Sequence, residues 1–186
     1  MLFSDDFKNE KSLRRWSILR GDWMIKNGLC HLRSSSPGLE ELIEIIGSEF
    51  WQNYTVEFRV RDVNSELATC RHAGVAFGLH KSQSARLVYF RYQTGEVVLA
   101  SADASGRYIG QILAHRVLRP DDTEWHKIEV RVVGNALEIY SDGQFVFDYK
   151  DTQDLMGTVG LWAYDSYCQF DNVKIVKEYG EGGQEQ

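Results

Sequence analysis

The stretch GTVGLWAYDSYCQFDNVKIV, residues 157–176, decides how the rest of the chain is interpreted. In its first half, apolar residues alternate with other types at every second position, which indicates a strand that is buried on one face. Trp162 and Tyr164 fall on the opposite face, so this pattern predicts that two aromatic side chains point away from the core. In the second half, the same alternation places Asp171 at the start of a row that points inward.

Alternating segments of this kind recur along the chain, and turn signals such as Asn27-Gly28 and Asp142-Gly143 separate them. The segment from Leu39 to Ile46 fits both a helical and a strand pattern, and we interpret it as a strand because its neighbours are strands. The total of roughly a dozen or more strands exceeds the seven to nine of an immunoglobulin-type domain. The sequence therefore predicts an all-β fold, a jelly-roll sandwich of two antiparallel sheets.

Composition limits the domain organisation and the classes of partner. The 186 residues suit one domain, which we place at residues 1–177, followed by a flexible acidic tail at residues 178–186. A net charge of −6 argues against a nucleic acid partner, because binding phosphates needs a concentrated positive surface. The chain contains neither an apolar run long enough to span a membrane nor a signal peptide, which predicts no membrane partner.

Three widely spaced cysteines suggest reduced thiols and a cytoplasmic chain, unless the chain is a fragment of a secreted protein.

The outward rows of several strands contain the residue types that bind sugars. Flat aromatic rings stack on the apolar faces of a sugar, and charged or polar groups bind its hydroxyls. A row of small residues, Gly74, Ala76 and Gly78, would leave room for a ligand. The predicted carbohydrate-binding residues, which we expect on one concave sheet, are Arg59, His80, Tyr89, Arg91, Trp162 and Tyr164. The alternative is that a loop covers Trp162 and Tyr164, which would then form a small second core.

A catalytic pair of carboxylates is not evident in the sequence. Glycosidases use two carboxylates about 5 to 10 Å apart across the scissile bond. Glu57 and Asp165 are the only weak candidates, and surface charge is the alternative for each of them.

Several motifs, in this order along the chain, together resemble the laminin-G-like branch of the concanavalin A-like lectin/glucanase superfamily. They are Phe3-Ser-Asp-Asp-Phe7 with Trp16, Gly21-Asp-Trp23, Asn27-Gly-Leu29, Trp125-His126, Asp142-Gly143, Gly157-x-Val-Gly-Leu161 and Phe170-Asp-Asn-Val173. Within that branch the chain is similar to family 66 carbohydrate-binding modules and to domains of the 3-keto-disaccharide hydrolase type. The resemblance implies a concave sheet, a carbohydrate ligand and a structural calcium near the joined termini.

Asp5, Asp6 and Asp171 are the candidate calcium ligands, because this hard cation prefers several oxygens at once. The alternative for Asp171 is that it accepts backbone N–H bonds. Three functions remain open at this point: a lectin-like domain that binds an oligosaccharide or polysaccharide, a glycoside hydrolase or related sugar-processing enzyme, and a protein interaction domain. We favour the first, because the expected face carries aromatic rings and arginines without an evident pair of catalytic carboxylates.

Overall fold

A computed structural model describes residues 1–33, 40–48, 50–63, 71–80, 84–103, 109–118 and 123–179. Within these ranges fifteen β-strands form two antiparallel sheets, and a short 3-10 helix spans Glu10–Arg15. Among the described residues, no helix has the length and the apolar composition that crossing a membrane requires. Leu39, Cys70 and residues 180–186, on which some of the predictions fall, lie outside the described ranges.

The eight-stranded sheet, which we call the back sheet, is built around the strand that ends the stretch quoted above. Its strands, in order across the sheet, are β13 (Gln144–Lys150), β12 (Ala136–Ser141), β11 (His126–Val133), β6 (Tyr54–Asp62), β15 (Tyr167–Lys177), β4 (Leu29–Arg33) and β3 (Asp22–Lys26), and β1 (Phe3–Asp5) also pairs with β15. The predicted hairpin at Asn27-Gly28 joins β3 to β4, and both turn residues have positive φ.

The seven-stranded sheet, which we call the front sheet, contains β14, the first strand of the same stretch. Its strands, in order across the sheet, are β10 (Ile109–Val117), β9 (Glu96–Ala102), β8 (Ala85–Arg91), β7 (His72–Leu79), β14 (Thr158–Tyr164), β5 (Glu40–Ile45) and β2 (Trp16–Arg20). The ambiguous segment before Ile46 is therefore a strand, as predicted, and residues 157–176 supply a strand to each sheet.

The main core lies between the two sheets and is built from alternate residues of their strands. Val56, Phe58 and Val60 of β6 are buried in it, as are Val75 and Phe77 of β7. Burial of this kind contributes about 25 cal/mol per Å² of apolar surface, so the alternation that is visible in the sequence is also the main source of stability. The structure confirms the predicted sandwich of two antiparallel sheets.

Two bulges change which way a side chain points, and both overturn a prediction. The register of β15 shifts between Asp171 and Lys174, where Asn172 has a φ of 51°. Asp171 therefore lies on the outer face of the back sheet and not in an inward row. Likewise, the chain has a positive φ at Gly78, and Leu79 packs on the outer side of the front sheet, although the alternation predicts it in the main core. An extra residue in a strand reverses every later side chain, which the alternation alone does not show.

Candidate carbohydrate site on the front sheet

Four of the predicted site residues lie together on the front face, the face of the front sheet that points away from the back sheet. They are Tyr89, Arg91, Trp162 and Tyr164, and the strand register explains why they meet. Tyr164 on β14 pairs with His72 on β7, and His72 pairs with Arg91 on β8. In the next row, Trp162 and Tyr89 flank a glycine of β7. We call these four side chains, together with that of His72, the front-face site.

The rings of the front-face site form one continuous row. The ring centroids of Tyr89 and Trp162 are 5.2 Å apart. His72 stacks on Tyr89 at 5.0 Å with an interplanar angle of 24°, and it lies 5.7 Å from the ring of Tyr164. Aromatic pairs at such distances stabilise each other by about 0.5–1.5 kcal/mol beyond the effect of burial.

Gly74 lies between the strands that carry these rings and allows their close approach. A Cβ atom at this position would come within 2.0 Å of the Val88 carbonyl oxygen and 2.5 Å of the Tyr89 Cα atom. Because Gly74 has no side chain, the rings of Tyr89 and Trp162 meet across β7. The room that the sequence predicts for a ligand along this strand is therefore occupied by the protein's own aromatic rings.

The middle of the front face is a second apolar cluster and not an open platform. Trp162 is 0% exposed and Tyr89 is 1% exposed. The buried members of the cluster are Leu42, Ala76, Leu79, Ala85, Leu87, Tyr89, Val98, Ala100, Ala102 and Trp162, and Ile109 and Tyr164 pack against them. The alternative that Trp162 belongs to a second core fits its burial, so its ring face is not available for stacking on a sugar.

A hydrogen bond across the front face shows part of what encloses this cluster. The backbone N–H of Ile109 on β10 donates to Oε1 of Glu40 on β5 at 3.1 Å. These strands hold the first and sixth positions in the order of the front sheet, so the contact spans the strands between them.

Three buried polar atoms of the front-face site have no hydrogen-bond partner in the part of the chain that the structure describes. They are His72 Nδ1, Arg91 Nε and Trp162 Nε1. Most buried polar groups in proteins are hydrogen-bonded to protein or to ordered water, and leaving one unpaired costs about 1–3 kcal/mol. Ordered water or a bound polar molecule would satisfy three such atoms on neighbouring strands.

The exposure of the side chains around these buried atoms increases toward one end of the sheet. Trp162 is fully buried and His72 is 8% exposed, whereas the side chains of Arg91 and His115 are 24% and 57% exposed. Tyr164 is half-buried at the same end. A molecule that reaches the unpaired atoms would enter from this end.

His72 is neutral at physiological pH. Burial, the largest cause, and the positive charge of Arg91 together lower the pKa of His72 from 6.5 to about 4, against the opposing charges of Asp165 and Glu96. A neutral imidazole has one N–H donor and one acceptor nitrogen, so His72 can bind either a hydroxyl hydrogen or an oxygen. Burial also raises the pKa of Tyr89, which keeps its hydroxyl protonated.

Glu96 on β9 borders the front-face site and holds Arg91. Its Oε2 atom accepts hydrogen bonds from Arg91 Nη1, at 3.0 Å, and from the Thr94 hydroxyl. Its Oε1 atom lies 2.9 Å from His115 Nδ1. The hydrogen bond from Thr94 is the main cause that lowers the pKa of Glu96, and the charge of Arg91 contributes, so the carboxylate stays ionised.

Arg59, which was predicted to share this face, is on the other sheet. It lies on β6 of the back sheet, with Asp171 at 3.6 Å. Glu57 lies on the same strand and pairs with Lys127 at 2.7 Å and with Lys174 at 3.7 Å. Periodicity predicted that these side chains point outward but not to which sheet they belong, because sheet membership depends on long-range pairing.

The remaining sugar and catalytic candidates do not join the site as predicted. His80 lies beyond the end of β7 that is opposite His72. Asp165 follows β14, is buried, and its charge acts on His72, whereas Glu57 lies on the outer face of the back sheet. Glu57 and Asp165 therefore do not face each other across a shared cleft.

The three carboxylates predicted as calcium ligands each contact other groups of the protein. Asp5 and Asp6 accept the backbone N–H groups two residues ahead of them, and Asp5 also accepts the Trp16 indole N–H at 3.0 Å. Asp171 is turned toward Arg59. Across the described ranges, no three Asp, Glu, His or Cys side chains are arranged to hold a metal ion. The structure does not gather the three carboxylates around one point, and calcium binding by the chain stays a prediction.

Three residues at the edge of the site were missed by the predictions from sequence. Glu96 is the first residue of β9, and Val98 and Ala100 follow it on the same face of the strand. A charged residue in an otherwise apolar row is the feature of the sequence that could have identified Glu96. His115 and Thr94 carried no comparable signal, because a strand pairing and a turn bring them to Glu96.

Comparisons with known proteins agree with this fold. The model of the family described as "3-keto-alpha-glucoside-1,2-lyase-like domain" matches residues 3–176. No curated protein sequence shows significant similarity to the chain.

Solved structures give a consistent result. The carbohydrate-binding module CBM66 from Bacillus subtilis is 19% identical with a TM-score of 0.74, over 87% of this chain and 94% of that one. A laminarinase from Flavobacterium sp. UMI-01 is 10% identical with a TM-score of 0.66, over 95% and 100% of the two chains. The VIP36 exoplasmic/lumenal domain, in a form bound to Ca²⁺ and Man3GlcNAc, is 10% identical with a TM-score of 0.65, over 92% and 89%. At these identities the likeness shows the fold alone, and the family match over residues 3–176 confirms the resemblance to domains of the 3-keto-disaccharide type.

Proposed function

We propose that this chain, which belongs to the 3-keto-alpha-glucoside-1,2-lyase-like domain family, binds a carbohydrate at the front-face site. The observation that carries the proposal is the set of unpaired buried atoms, His72 Nδ1, Arg91 Nε and Trp162 Nε1. A sugar is a dense array of oxygens, and it would satisfy several of these atoms at once. The solved carbohydrate-binding module of the same fold supports the proposal as an analogy.

The chemistry of the unpaired atoms favours an oxidised sugar. The side-chain nitrogens of tryptophan and arginine donate hydrogen bonds and accept none, so Trp162 and Arg91 require acceptor oxygens. A ketone oxygen accepts two hydrogen bonds and donates none, whereas a hydroxyl must also place its own hydrogen. The family description names a 3-keto-α-glucoside, and a ketone at C3 would suit this donor pair.

The bound sugar would make polar contacts and little stacking. Because Trp162 and Tyr89 are buried, their rings fix the positions of the polar atoms and leave no face open to a sugar. The half-buried ring of Tyr164 and the partly exposed Arg91 stand at the accessible end and would contact the rest of the sugar.

A second candidate is cleavage of such a sugar at the same site. A 1,2-elimination removes the proton at C2, which the C3 ketone acidifies. The C2–H electrons then form the C1–C2 double bond while the C1–O bond breaks toward the leaving oxygen. Neutral His72 would accept the C2 proton and then give it to the leaving oxygen, which departs as an alcohol, while Arg91 and Trp162 would stabilise the negative charge that develops on the C3 oxygen. The observation in favour is the unpaired nitrogen of His72; its pKa of about 4 makes it a weak base, so binding remains the first proposal.

Calorimetry with a matched pair of ligands tests the proposal. Methyl 3-keto-α-D-glucopyranoside and methyl α-D-glucopyranoside differ only at C3, and we expect the keto sugar to bind at least about ten-fold more tightly, because the plain sugar satisfies the donors less well. Trp162→Phe, which removes one donor and keeps the ring packing, should abolish most of this preference. Glu138→Gln, at an exposed ion pair of the back sheet, serves as the control variant and should bind like the wild-type protein.

Methanol release from the same keto sugar separates the two candidates. Binding without release supports the first proposal, and release that is lost in His72→Gln supports the second. Equal affinity for both sugars would contradict the role of the donors. No binding and no release, in this assay and in a broader polysaccharide screen, would favour a protein interaction domain.

A further inference from the structure

Glu96 receives three side-chain hydrogen bonds at the rim of the front-face site, two from its own β8–β9 hairpin and one from β10. Arg91 ends β8, Thr94 lies in the turn that follows, and His115 lies on β10. The turn itself is tight, because the backbone N–H of Gly95 donates to the carbonyl oxygen of Arg91 at 2.8 Å. The Glu96 side chain is 11% exposed, so its charge is largely removed from water and needs all three partners.

Glu96 fixes one edge of the Arg91 guanidinium. Glu96 Oε2 binds Nη1, and this leaves Nε, which is buried and unpaired, free to meet a ligand. A guanidinium is planar and rigid, so holding one nitrogen sets the direction of the others. Without Glu96 the Arg91 side chain would keep its charge and its contact with the Tyr89 hydroxyl, but Nη1 would lose the partner that helps to set the direction of the Nε–H.

We infer that Glu96 is a positioning residue, which aims the Nε–H of Arg91 at a bound sugar oxygen without touching the sugar itself. This inference rests on the proposed function, since it assigns a task to a residue beside the same site. Thr94 and His115 both bind the carboxylate of Glu96 and so help to fix its position. The orientation of Arg91 therefore depends on Thr94 and His115 as well, which are well separated along the chain.

A double-mutant cycle tests the inference, with methyl 3-keto-α-D-glucopyranoside as the probe. Glu96→Gln should weaken binding about ten-fold, because the charged partner of Arg91 becomes neutral. Arg91→Lys should weaken it by at least as much, because an ammonium group has no fixed planar edge. In the Arg91→Lys background, Glu96→Gln should have less than about a two-fold further effect, because it acts only through Arg91.

Further measurements keep the inference falsifiable. Glu138→Gln breaks a comparable hydrogen bond from Arg131 on the back sheet and should leave affinity unchanged. If Glu96→Gln proves too unstable, Thr94→Val removes one partner of the carboxylate and should weaken binding about two- to three-fold; wild-type affinity in this variant would then overturn the inference.

The outcomes separate the inference from the proposed function. A Glu96→Gln protein with a lower Tm and unchanged affinity, or additive effects in the cycle, overturns the positioning role while the sugar site stands. A wild-type protein that does not bind the probe overturns both.

Discussion

At the scale of single residues, the front-face site combines tightly packed rings with buried polar atoms that have no hydrogen-bond partner among the described residues. Trp162 is fully buried, and its ring packs at 5.2 Å from Tyr89, yet its indole N–H has no partner in the described part of the chain. A phenylalanine at this position would pack similarly and would leave no buried donor, which would remove a cost of about 1–3 kcal/mol. Under the proposed function, the tryptophan nitrogen is kept for binding and not for stability.

The lowered pKa of His72 predicts that the stability of the protein depends on pH. Its pKa falls from 6.5 in the unfolded chain to about 4 in the folded one, so between these values the unfolded state binds more protons. The stabilisation is fully present above about pH 6.5 and is lost as the pH falls toward 4. Between pH 7 and pH 5 we expect His72 alone to lower the free energy of unfolding by about 2 kcal/mol.

Urea unfolding at the two pH values, for wild type and His72→Gln, measures this contribution. The variant should lose about 2 kcal/mol less than the wild type on acidification. An identical loss in wild type and His72→Gln would contradict the neutral, buried state of His72.

At the scale of elements, a buried ion pair connects the two sheets. Arg86 on β8 binds Asp151, which directly follows β13, through two hydrogen bonds, one of them 2.7 Å between Nη2 and Oδ1. The two side chains are 7% and 2% exposed. Asp151 Oδ1 also accepts two backbone N–H bonds from the residues that follow it, so the pair fixes the start of the segment between β13 and β14.

Asp151→Asn should therefore be strongly destabilising. It leaves the Arg86 charge buried without its carboxylate, and we expect a loss of about 3–5 kcal/mol in the free energy of unfolding, measured by chemical denaturation. The matched control is Glu138→Gln, whose partner Arg131 is exposed, and which should cost less than about 1 kcal/mol. Equal losses in the two variants would show that Asp151 has no special role between the sheets.

The strands also show where prediction from the sequence succeeds and where it stops. Alternation correctly predicted that Tyr89, Arg91, Trp162 and Tyr164 point away from the main core, because the side-chain period of a strand is fixed by its geometry. It failed at Asp171, where the neighbouring bulge, marked by a positive φ at Asn172, reverses the direction of the side chains. Asparagine tolerates positive φ, but nothing local requires a bulge at that position.

At the scale of the whole molecule, the resemblance of ordered motifs predicted the fold, whereas the accessibility of the site could not be predicted. Periodicity indicates which side of a strand faces the main core, but it does not indicate what lies over the other side. The contact from Ile109 to Glu40 spans strands that are distant in the sequence. For the same reason Arg59 was assigned to the wrong sheet, because which strands pair is decided by long-range packing.

The most direct test of the central claim follows the indole N–H of Trp162 by NMR while methyl 3-keto-α-D-glucopyranoside is added. The chain has five tryptophans, and Trp162→Phe identifies the signal of interest by its loss. We predict that the Trp162 indole signal shows the largest shift of the five. The Trp23 indole already donates to the Arg20 carbonyl oxygen at 2.8 Å and should stay in place. A sugar that binds while the Trp162 signal does not move would contradict the front-face site.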